Sequence, residues 1–158
     1  MMRVALVLAL LATGCPAKGP EAPTAPATPT EVVAAAKATV EQWRQGYEVR
    51  SLEVLAKLYA HDTDVVVITE GAPLVGWKAI EASLRDKLAH STAIHVRLKD
   101  VQVASIAPTV ATVVAGMTRE LTDGATTTTE QGTLTLTLRK DGEGWVIALE
   151  HYSYRRPS

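Results

Sequence analysis

The chain holds a single cysteine, Cys15, among 158 residues. No internal disulfide is possible, so packing alone must hold the fold. Charge is nearly balanced, at a net −1. That excludes the basic footprint of a nucleic-acid binder and strong attraction to an anionic membrane surface. No apolar run approaches the roughly 20 residues needed to span a bilayer. There is no HExxH metal motif, no GxxxxGKS/T phosphate loop and no GxSxG nucleophile elbow. The four histidines, His61, His90, His95 and His151, lack metal-ligand spacing. Neither a metal nor another cofactor is expected.

At the N-terminus, Arg3 precedes the apolar run from Val4 to Leu11, and small residues follow. This is the plan of a secretory signal peptide. Cys15 sits just after Ala12, Thr13 and Gly14, which resembles the lipobox of bacterial lipoproteins, although Ala12 stands where leucine is usual. An unpaired cysteine in a secreted chain calls for an explanation, and lipidation supplies one. The resemblance implies that residues 1–14 are removed and that an acylated Cys15 anchors the new N-terminus in a membrane. Removing them takes away only Arg3, so the net charge moves from −1 to −2. Pro16 follows the cysteine in place of aspartate, which by the same resemblance implies the outer membrane of a bacterial cell envelope. Residues 15–30 then form a tether rich in proline, alanine and threonine, a composition that favours polyproline II and buries little.

Residues 31–158 are long enough for one domain with its own core. Ala36, Val40, Trp43 and Tyr47 recur at helical spacing, which predicts a helix over 33–49. Ser51 can cap a second, short helix carrying Leu52, Leu55, Leu58 and Tyr59 on one side. "DVVVITEG" reads as a strand, and Gly76 opens a third helix with Trp77, Ile80, Leu84 and Leu88 on one face. After Ser91 the period changes to 2. Ile94, Val96 and Leu98 alternate with His95, Arg97 and Lys99, and Leu134, Leu136 and Leu138 with threonines. "TVATVVAGM" is a further strand, and the "DGEG" turn leads to a last one starting at Trp145. Three helices followed by a run of mainly antiparallel strands make an α+β layer fold.

Three passages carry a family resemblance. "LAKLYAHDTDVVV", "GAPLVGWKAIEASL" and "TLTLRKDGEGWVIALEHYS" resemble, in order, the helix-to-strand passage, the next glycine-bounded passage and the closing hairpin of SnoaL-like domains in the nuclear transport factor two-like superfamily. In the hairpin, Trp145, Ile147, His151 and Ser153 match, and Leu149 stands where a first histidine is usual. The resemblance covers nearly all of residues 31–158. It implies a cone-shaped, cystatin-like fold, with a curved sheet wrapped around the helices and a pocket at the open end. Relatives include dimers, and they span polyketide cyclases, ketosteroid isomerases and dehydratases.

Strict alternation along the last strand places Trp145, Ile147, Leu149, His151 and Ser153 on the inner face, and Glu150, Tyr152 and Tyr154 on the outer one. His151 is then either a histidine held by hydrogen bonds at a core edge or a pocket donor, acceptor or base. Ser153 continues the same wall, Tyr47 and Tyr59 can face it from the helices, and Trp43 can form an apolar side. Asp62, Asp64 and Glu70 lie near loops or strand ends, and none matches a catalytic motif. No catalytic residue is assigned. The favoured expectation is a membrane-anchored domain that binds a small, largely apolar molecule or a protein partner. A lyase or isomerase of the cyclase kind and a structural dimerisation module are the rivals. A homodimer is expected through an outer sheet face bearing Thr133, Thr135, Thr137, Tyr152 and Tyr154.

Overall fold

The computed structural model describes residues 25–156. The signal peptide, Cys15 and the tether as far as residue 24 lie outside the described residues. Helix α1 spans Pro29–Glu48, so it starts within the stretch read as tether and before the expected residue 33. Local chemistry explains the early start. Thr28 Oγ1 accepts from the Glu31 amide at 3.3 Å, and Glu31 Oε2 accepts from the Thr28 amide at 2.7 Å. This is a reciprocal capping box, with Pro29 pre-set for the first turn. Helix α2 (Leu52–Ala56) is capped by Ser51, and α3 spans Trp77–His90.

The strands are β1 (Val66–Thr69), β2 (Ala72–Val75), β3 (Ala93–Ala107), β4 (Val110–Asp123), β5 (Thr126–Asp141) and β6 (Gly144–Arg155). They form one six-stranded sheet in the order β2-β1-β6-β5-β4-β3. The α+β class and the helices-then-sheet order follow the sequence pattern. Strand β2, which contains Pro73, escaped it. Proline is tolerated there because β2 is an edge strand. The sheet is mixed, since β1 runs parallel to β6 while the other pairs are antiparallel. Register shifts interrupt the β3–β4 pairing between Lys99 and Gln102 and between Ser105 and Ala107. Such bulges bend the strands.

A further register shift decides which side chains reach the interior. Thr137 pairs with Leu149 and Leu138 pairs with Ile147, so Ala148 is an extra residue in β6. An added residue inverts the alternation beyond it. Ile147 faces the core as expected, but after the bulge Glu150 and Tyr152 point inward and are buried. His151 and Ser153 share the opposite face with Thr135 and Thr133, their partners on β5. The expected assignment of this strand's faces is therefore reversed from Leu149 onward. The outer face keeps its threonines, but Tyr152 and Tyr154 are not part of it.

The core lies between α1 and the concave side of the sheet. Val32, Ala36, Val40, Trp43 and Tyr47 of α1 pack with Ala111, Val113, Leu134, Leu136, Leu138 and Ile147. Gly132 makes a tight crossing possible on the same side. A Cβ there would stand 1.8 Å from the Ser153 carbonyl oxygen, so no larger residue fits without moving backbone.

Candidate functional site

A cavity of about 340 Å³ opens at the β1–β2 end of the concave face. Helix α3 forms one wall with Ile80, Leu84 and Lys87, and Val67 and Leu74 form another. Tyr47 and Tyr59 reach it from the helical side, and Arg119 and Glu130 come from β4 and β5. Tyr154 and Arg156 stand with Glu70 near its mouth. A larger depression of about 620 Å³ between α1 and β3 is an open groove, lined by Lys37, Arg44, Arg97 and Lys99 over a valine and leucine floor.

The bulge at Ala148 supplies the group behind the tyrosines. It turns Glu150 inward, where Oε2 accepts a short hydrogen bond from the Tyr59 hydroxyl. Trp43 Nε1 donates to the same carboxylate oxygen at 3.3 Å and to Tyr59 Oη at 3.0 Å. The Trp43 and Tyr47 rings meet edge to face, with centroids 4.9 Å apart. Burial first, and the Glu150 carboxylate second, push both tyrosine hydroxyls well above their ordinary pKa. Both therefore stay protonated at neutral pH and act as donors.

Arg119 and Glu130 face each other across β4 and β5, each 1% exposed. Arg119 Nε donates to Glu130 Oε2 at 2.9 Å, and Nη2 lies 2.7 Å from the same oxygen. The guanidinium sits 5.0 Å from the Tyr152 ring centroid and 6.0 Å from that of Tyr154. Tyr152 and Tyr154 stack at 4.7 Å, and the Tyr152 hydroxyl donates to the Glu130 carbonyl at 3.1 Å. Nearer the mouth, Glu70 accepts from the Tyr154 hydroxyl at 2.6 Å and from Arg156 at 2.7 Å. The Tyr154 bond first, then Arg156, hold the Glu70 carboxyl below the usual range.

The residues singled out from the sequence divide between two faces. Tyr47 and Tyr59 line the cavity, and Trp43 is bonded just behind them. His151 and Ser153 line an adjoining open depression, which shares Glu70, Tyr154 and Arg156 with the cavity. Of the carboxylates weighed as bases, Asp62 is paired with Arg139 and accepts from the amides of Asp64 and Val65, so it braces a loop.

Arg119, Glu130, Glu150 and Lys87 were missed. Three of them carried a readable signal. Arg119 continues the every-second-residue series Ala111, Val113, Ala115, Met117, and Glu130 continues the series of Leu134, Leu136 and Leu138 backward. Lys87 follows Ile80 and Leu84 at helical spacing. A charge that keeps an apolar period marks an ionisable group turned toward the interior, fully buried at Arg119 and Glu130 and half-buried at Lys87. Glu150 had no such mark, because the bulge put it there.

No curated protein matches this chain in sequence. Solved structures do match its fold. One is a protein from Streptomyces avermitilis, provisionally called a dehydratase of the NTF2-like family. It is 18% identical with a TM-score of 0.73, over 81% of this chain and 99% of that one. Another, from Novosphingobium aromaticivorans, is provisionally called a scytalone dehydratase. It is 14% identical with a TM-score of 0.70, over 78% of this chain and 84% of that one. A third, from Thiobacillus denitrificans, is provisionally a calcium/calmodulin-dependent protein kinase type II association domain. It is 22% identical with a TM-score of 0.65, over 83% of this chain and 99% of that one. At such identities the likeness shows the fold alone. The family model for the SnoaL-like domain matches residues 36–157, and the chain belongs to that family.

Proposed function

We propose that this domain binds a small molecule with an apolar body and a polar end, inside the cavity at the open end of the sheet. One observation carries the reading. Both carboxylates that line the cavity are already held by arginine, Glu130 by Arg119 and Glu70 by Arg156. A general base must be free to take a proton at hydrogen-bond distance. Carboxylates bound in this way build a rigid polar rim instead. The groups left to meet a ligand are the protonated hydroxyl of Tyr47, the Lys87 amine and the apolar walls, because Tyr59 already donates its one proton to Glu150. Such a lining, apolar with a few convergent donors, is the usual make-up of a small-molecule site.

The test uses a naphthalene sulfonate dye and a variant that fills the cavity. Ser83 lines the cavity and is only half-buried, so Ser83→Trp should fold. Saturable dye binding to the wild-type protein and its loss in Ser83→Trp is the expected result. Equal binding by both would remove the cavity as the site.

The second half of the proposal is the anchor, and its support is the sequence around Cys15. Wild-type protein should partition into detergent, and Cys15→Ala should not. Equal partitioning of a cleaved Cys15→Ala chain would sink it.

A further inference from the structure

We propose that Lys87 is a carbonyl-reactive amine, forming an imine with an aldehyde or ketone held in the cavity. The inference rests on the reading that the cavity admits a small molecule, and it names that molecule's reactive group.

The geometry is that of an isolated amine. Lys87 lies on the face of α3 that carries Ile80 and Leu84, and it lines the cavity. Its ammonium sits 5.8 Å from the centroid of the buried Tyr47 ring. It has no ion pair or side-chain hydrogen bond among the described residues. Among the described residues the other lysines are exposed, and Lys37 and Lys99 form part of the open groove. A lysine that served only to cover apolar surface would keep its charged head in water.

Its surroundings favour the neutral form. Burial acts first, and the Arg119 guanidinium across the cavity acts second. Glu150, Glu130 and Glu70 oppose them, with Glu130 and Glu70 themselves engaged by arginines. The net result is an amine lowered from 10.5 to about 8. Roughly one in ten such groups is neutral near pH 7, against about one in three thousand for an ordinary lysine. Desolvation together with a neighbouring cation is a general way to make a lysine nucleophilic.

The step balances without an oxidant or reductant. The nitrogen lone pair attacks the carbonyl carbon, a C–N bond forms, and the π pair moves to oxygen. The nitrogen loses a proton and the oxygen gains one, giving a carbinolamine. Protonation of that hydroxyl lets it leave as water while the nitrogen pair closes the C=N bond, and loss of the remaining N–H proton from that iminium gives the imine. Tyr47 is a protonated donor lining the same cavity and can bind the carbonyl oxygen as charge develops on it. An apolar cavity also limits hydrolysis of the product.

The experiment treats the full-length protein with benzaldehyde and sodium cyanoborohydride, then maps benzylated lysines by mass spectrometry. The expected initial rate at Lys87 exceeds that at exposed Lys78 and Lys140 by roughly tenfold or more at pH 7.5. Its rate should level off above about pH 8, while the surface lysines keep climbing. Lys87→Arg should lose the fast phase. Ser83→Trp should slow it by closing the cavity. Two failures can be told apart by the dye. If dye binds saturably but Lys87 is labelled no faster than Lys78, the imine is wrong and the cavity reading stands. If neither occurs, both are wrong.

Discussion

The two ends of the concave face are built from the same three strands and have opposite chemistry. At the closed end Ala111, Val113, Leu136, Leu138 and Ile147 are fully buried and apolar. Toward the open end the alternation of β4 and β5 delivers Arg119 and Glu130, and the bulge in β6 delivers Glu150 and Tyr152, just as deeply buried and all polar or charged. Burial of apolar area stabilises the closed end by about 25 cal/mol per Å². The open end has no such term to spare, because desolvating an ion pair consumes much of what its Coulomb attraction returns. A chain selected only for stability would continue the leucine series. Local rules are broken most often where a protein does its work.

The strongest way to break this comparison is to reverse the charge that the bulge turns inward. Glu150→Lys would bury a cation against the Trp43 and Tyr59 donors, which lose their carboxylate. The expected outcome is loss of cooperative thermal unfolding by circular dichroism. Deleting Ala148 instead removes the extra residue and leaves Leu149 opposite Thr137 and Glu150 opposite Leu136, so the faces and the cooperative transition should survive. If Glu150→Lys unfolds cooperatively near the wild-type temperature, the bulge does not deliver Glu150 to the interior.

The next test sets single against paired substitutions in urea unfolding. Glu130→Ala leaves Arg119 buried, with no other salt bridge to a carboxylate among the described residues, and should cost about 3–5 kcal/mol. Leu136→Ala at the closed end should cost a similar 2–5 kcal/mol by opening a cavity. The ends separate when both partners are replaced. Arg119→Met with Glu130→Leu should recover most of the loss. If the double variant is as unstable as Glu130→Ala alone, the ion pair is a stabilising element and the contrast between the ends is wrong.

The helices, the long strands and the apolar series were legible because each is a sustained local period. So were the cavity tyrosines, since Tyr47 and Tyr59 continue helical faces whichever way the sheet turns. Two things were not. Strand β2 is too short and too proline-marked to register as a strand. The face of β6 depends on one unpaired residue opposite Thr137 and Leu138, and "VIALEHYS" reads as unbroken alternation in either phase. A phase counted from Trp145 puts His151 in the interior and Glu150 on the exterior, and so reads a buried carboxylate with two donors as a surface charge.

The smallest effect expected is a stabilisation, at Lys87. Its amine titrates near 8 in the fold against 10.5 when unfolded. Between those values the unfolded chain binds more protons, so stability rises with pH across that window. Below about pH 8 both states are protonated, and the full penalty of burying the charge, added to that of Arg119 nearby, applies. Lys87→Met keeps the aliphatic stem and removes the charge. At pH 7 it should raise stability by about 1–2 kcal/mol, less than the whole shift implies, because the side chain is half-buried and water screens part of the charge. The advantage should shrink from pH 8 upward and be nearly gone at pH 10.5. Melting temperatures of both proteins at pH 7 and pH 10.5 check it. An advantage that is absent at pH 7, or that grows with pH, would mean that Lys87 is not held as an isolated amine and that the open end carries no strain at this position.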